Sequence, residues 1–66
     1  MKYEIRLEGL LPTEREIWFD GWHIIHLPQD DTILRGAVQD QVALHGTLTK
    51  IRDLNIPVLL VKRLSE

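Results

Sequence analysis

At 66 residues the chain can hold one domain, and its lack of cysteine excludes disulfides, thiolate metal sites and thiol redox chemistry. Formal net charge is −2, with 27% charged and 44% hydrophobic residues. That is a globular balance with no general attraction to nucleic acid or an anionic membrane.

So small a core rarely supplies more than about 3–5 kcal/mol. With disulfides gone, the remaining supports are histidine–metal binding and self-association. The longest apolar run, Ile56 to Val61, contains Pro57 and is too short to span a bilayer. No basic region followed by an apolar stretch opens the chain, so no signal peptide is expected and a cytoplasmic location is.

In chain order, Lys2 to Glu8 alternates strictly. Tyr3, Ile5 and Leu7 fall on one face; Lys2, Glu4, Arg6 and Glu8 fall on the other. This predicts a half-buried strand of an antiparallel sheet. Thr13-Glu14-Arg15-Glu16 matches a capping box and predicts a two-turn helix through Ile17, Trp18 and Phe19, closed by Gly21. Trp22 to Leu27 and Thr32 to Val38 read as a hairpin around the turn Pro28-Gln29-Asp30-Asp31, with Gly36 as a bulge candidate. Asp40 is a good N-cap for a helix to about Leu54, striped by Leu44, Leu48, Ile51 and Leu54. Asn55 can take the left-handed position after the helix, with Ile56 folding back on Ile51 and Pro57 blocking continuation. Val58 to Leu64 is the last strand, apolar on both faces at its start and therefore expected to be partly covered twice.

The order β, short α, β, β, α, β predicts an α+β, ferredoxin-like β-α-β-β-α-β fold. It would be a four-stranded antiparallel sheet, order 4-1-3-2, with two helices on one face.

Chemistry concentrates in Trp18 to Asp31, which holds both tryptophans, the only phenylalanine and two of three histidines. On a strand His23 and His26 point to opposite faces, which argues against a shared metal; a site with His45, Asp20 or Asp30 is the remaining metal reading. Adjacent Asp30 and Asp31 are turn carboxylates with no sign of the burial that a raised catalytic pKa requires. The only serine, Ser65, lies in the tail, so no serine triad is expected. The third strand lacks the aromatics on which open-sheet RNA binders stack bases. No catalytic residue, no metal, no cofactor and no nucleic-acid or membrane partner is expected.

What remains is association. Trp18 and Phe19 point about 100° apart on a helix and cannot both be central in so small a core. Trp18, Phe19 and Trp22, together with His45, are the candidate interface residues, because aromatics are enriched at interface anchors.

Three motifs carry a resemblance. YEIR with Gly9, then Trp18-Phe19-Asp20-Gly21, then Asp40-Gln41 with Ala43-Leu44-His45-Gly46, Leu48, Lys50 to Leu54, Pro57 and Leu59, cover most of the chain. They resemble a family of short uncharacterised bacterial proteins whose pattern has glycine where this chain has Asn55. The resemblance implies a bacterial source and carries no activity. Within the helix motif, Gly46 would allow close packing on a neighbour, while His45 with Gln41 and Arg52 would form a contact surface.

The sequence therefore predicts a non-enzymatic protein-interaction or regulatory module, self-associating, with a dimer favoured. The alternative is a small-ligand regulatory domain with its site at a subunit interface, the loop Gly9 to Pro12 serving as binding loop.

Overall fold

A computed structural model describes residues 1–64, apart from the side chain of Thr13. The chain forms β1 (Lys2–Leu7), a 3-10 helix (Thr13–Phe19), β2 (Trp22–His26), β3 (Thr32–Ala37), α1 (Gln41–Asp53) and β4 (Val58–Leu64). All strand pairs are antiparallel. The sheet order is β2-β3-β1-β4, so β2 and β4 are its two edges.

Cross-strand partners share a face. Ile24, Leu34, Ile5 and Val61 form one row across all four strands on the side that α1 covers. Ile5, Leu7 and Leu34 are fully buried there, and Leu44 and Ile51 of α1 close over them. Leu48, the middle of the expected stripe, is only partly buried, at the flank of the helix.

The helix is bounded as its end residues require. Asp40 Oδ1 accepts from the Ala43 amide at 2.9 Å. At the other end Asn55 adopts φ 62°, and the Ile56 amide donates to the Ile51 carbonyl at 3.3 Å. The first helix differs from expectation. It is a 3-10 segment capped at Pro12 without a side-chain hydrogen bond; the Thr13 side chain of the expected capping box lies outside the described residues. The eight residues between Pro12 and the left-handed Gly21 (φ 88°), seven of them in this segment, are too few to propagate an α-helix against its nucleation cost.

Two further corrections concern packing. Gly36 is not a bulge: β3 keeps unbroken register with β1 and β2. The glycine makes room instead, since a Cβ there would lie 2.9 Å from Trp22 Cε3. The irregularity is in β1–β4, between Arg6 and Leu7. Nor is β4 covered twice. Val58, Leu59, Leu60 and Val61 are 41–49% exposed, because one helix is too narrow to shield the outermost strand.

Candidate contact surfaces

The aromatic stretch divides between core and surface. Phe19 is 2% exposed and belongs to the core, which leaves it no surface to offer an interface. Trp22 is half-buried against the core and lies over Gly36. Trp18 is 41% exposed. Arg15 stacks on its ring at 4.8 Å, and Lys50 Nζ donates to its backbone carbonyl at 3.0 Å. Neighbouring Ile17 is 79% exposed. This side of the molecule carries an open depression of about 400 Å³ running from Glu16 to Ile24 along β2.

The histidines stay apart. His23 pairs in register with Arg35 on the open face of the sheet, while His26 pairs with Thr32 on the helix side. His26 Nε2 lies 3.7 Å from Glu16 Oε2. His45 is exposed on α1. A Cβ at Gly46, beside it, would meet nothing within 4 Å, so the close packing expected there does not occur.

The turn aspartates and the glycine loop have structural work. Asp31 Oδ1 accepts from the Gly9 amide at 3.2 Å. Buried Thr32 receives the Leu11 amide at 3.0 Å and donates its hydroxyl proton to the Gly9 carbonyl at 2.8 Å. The amides of Gly9 and Leu11 are thus committed inside the fold. Asp30 occupies the left-handed turn position at φ 65°.

Within the strands, the open sheet face carries Lys2, Arg6, Arg35 and Lys62 and one carboxylate, Glu4. Glu4 is 8% exposed and accepts from Arg35 Nε at 2.8 Å. Among the described strand residues this face has no Phe, Tyr or Trp side chain, and His23 is its one ring.

The two sheet edges differ in kind. β2 has five residues, two of them histidine, and the 3-10 segment runs beside it, bringing Glu16 toward His26. β4 has seven residues, VLLVKRL, beginning with four consecutive exposed apolar side chains. Sequence reasoning placed the last strand at an edge but expected its start to be covered, because apolarity on both faces ordinarily signals burial. The informative signal was the count of helices: one true helix covers β1 and β3 and leaves β4 open.

The α1 flank adjoining β4 can be identified from helix geometry. Lys50 reaches Trp18 and so marks the flank facing the 3-10 segment. At 100° per residue, Gln41, His45 and Arg52 lie on the opposite flank. With β2 and β4 at opposite edges of the sheet, that flank faces the β4 side, and Arg52 and Val58 line one depression at the turn that joins α1 to β4.

Among the described residues no helix is long and apolar enough to cross a membrane. Residues 2–62 match the model of a family described as a domain of unknown function, DUF8691. No curated protein and no solved structure gives a match.

Proposed function

The chain belongs to the DUF8691 family, and from its surface we propose that it is a small non-enzymatic interaction module that works by protein–protein contact and self-associates. The observation that carries this reading is the β4 edge, where Val58 to Val61 stand 41–49% exposed. These four apolar residues border both faces of the sheet along its edge, and exposed apolar surface of this kind marks interaction sites. Their strand also ends the sheet, so one row of its backbone groups is unpaired within the chain. We read the layout as ferredoxin-like with its first helix reduced to a 3-10 segment, and we place the protein in the bacterial cytoplasm.

The polar groups nearest to a chemical role have other duties. Thr32 and Asp31 tie the Gly9 to Leu11 loop to the sheet, and Glu4 is held by Arg35. The ligand-binding alternative draws less support, because two amides of its loop are already engaged. The test is solution mass by sedimentation from low micromolar concentration upward. A dimer or larger species supports the reading; a monomer throughout the accessible range refutes self-association.

A further inference from the structure

We infer that the partner is a second copy of this chain, joined edge to edge through β4 about a two-fold axis at Val61, so that two four-stranded sheets become one of eight strands. The inference rests on the self-association reading and names its surface and register.

The choice of edge follows from the contrast above. An unpaired strand edge is a template for another strand, and proteins blunt it with shortness, charge or cover. β2 is short and flanked by the 3-10 segment, whereas β4 is the longer strand and apolar over its first four residues. Paired with itself, the β4 edge gains hydrogen bonds for its free amides and carbonyls.

The register follows from charge and covalent geometry. A two-fold axis perpendicular to the sheet keeps each face continuous and makes the strands antiparallel. Centring on Lys62 or Arg63 sets like charges opposite each other, which is destabilising. Centring at or before Leu59 brings Pro57, which has no amide hydrogen, into the ladder. Centring on Leu60 draws in the β4 start, where register with β1 shifts. The Val61 centre uses Leu59 to Arg63, with Val61 against Val61, Leu60 against Lys62 and Leu59 against Arg63. Each cation then meets a leucine, over which its methylene stem can lie.

The five paired residues give an edge of about 17 Å, and the thinnest dimension of the molecule is 18 Å. The strand edge alone is therefore about 300 Å² in projection, half of the roughly 600 Å² per partner at the low end of specific interfaces. The α1 flank of Gln41, His45 and Arg52 supplies the second layer.

A single engineered cysteine reads the register directly, because the natural chain has none. Opposed residues of an antiparallel pair have Cβ atoms about 4.5–5.5 Å apart, close to disulfide range. Full-length Val61→Cys, mildly oxidised, should form a covalent dimer in high yield, while Thr49→Cys, on the exposed surface of α1, should not. Val61→Glu should shift sedimentation to the 7.7 kDa monomer with an unchanged circular dichroism spectrum. Trp18→Ala, beyond the opposite edge, should leave the dimer intact. A dimer that survives Val61→Glu and does not cross-link at position 61 overturns the β4 inference and leaves self-association standing. A wild-type monomer at every concentration overturns both.

Discussion

Replacing Thr32 with valine removes one hydroxyl from a fully buried site and keeps its volume. That hydroxyl makes two of the three side-chain hydrogen bonds that tie the Gly9 to Leu11 loop to the start of β3, the third being the Asp31 carboxylate on the Gly9 amide. The Leu11 amide, on a residue 3% exposed, would lose its acceptor, and the Gly9 carbonyl would lose its donor. An orphaned buried donor costs about 1–3 kcal/mol, and the second hydrogen bond is worth about 0.5–1.5 kcal/mol, so Thr32→Val should cost about 2–4 kcal/mol. A domain of this size commands about 3–5 kcal/mol in total, so the loss takes most of its stability. Urea titration followed by tryptophan fluorescence measures it, with a slope near 1 kcal/mol/M converting the loss to a midpoint about 2 M or more lower. Thr32→Ser is the internal control: it keeps the hydroxyl and sheds one methyl group, which should cost only about 1 kcal/mol. A valine variant within about 0.5 kcal/mol of wild type, or one more stable than the serine variant, would refute the claim that this hydroxyl holds the loop.

Three other substitutions probe separate features. Gly36→Ala places a methyl 2.9 Å from Trp22 Cε3 and 3.1 Å from the Gly21 carbonyl oxygen, so it should destabilise by about 1–3 kcal/mol and change tryptophan emission; a silent substitution would mean Trp22 moves freely. Gly46→Ala meets open space in mid-helix and should stabilise by about 0.5–1 kcal/mol in thermal or urea unfolding; destabilisation would reveal a packing partner for that position. Asp40→Ala loses the N-cap bond to the Ala43 amide and should cost about 1 kcal/mol, read as lower helicity and a lower midpoint; no change would show that α1 is held by its buried stripe alone.

Much of the architecture was legible because its determinants are local. The alternation in Lys2 to Glu8 reports which side chains face the core, and the backbone obeys the same period of two. Asp40, Asn55 and Pro57 act on amides and dihedral angles within a few residues of themselves, so the bounds of α1 could be read directly. The opposite faces of His23 and His26 follow from the same strand geometry. The 3-10 form of Thr13–Phe19 was not legible, since its capping signals fit an α-helix and only the span between Pro12 and Gly21 limits it.

Coverage, by contrast, is a property of assembled layers. Nothing in Trp18-Phe19 tells which ring turns inward; the position of α1 over β1 and β3 decides that Phe19 is core and Trp18 is surface. Asp31 and Thr32 read as an ordinary turn and strand start, and only the return of Gly9 and Leu11 across 21 or 22 residues gives them partners. The same holds for Val58 to Val61. Their composition is that of a buried strand, and their exposure comes from strand order and the width of a single helix. The sequence alone determined where strands and the main helix begin and end, because those signals act over a few residues. Tertiary structure decided which apolar residues meet water, because burial depends on what other elements reach.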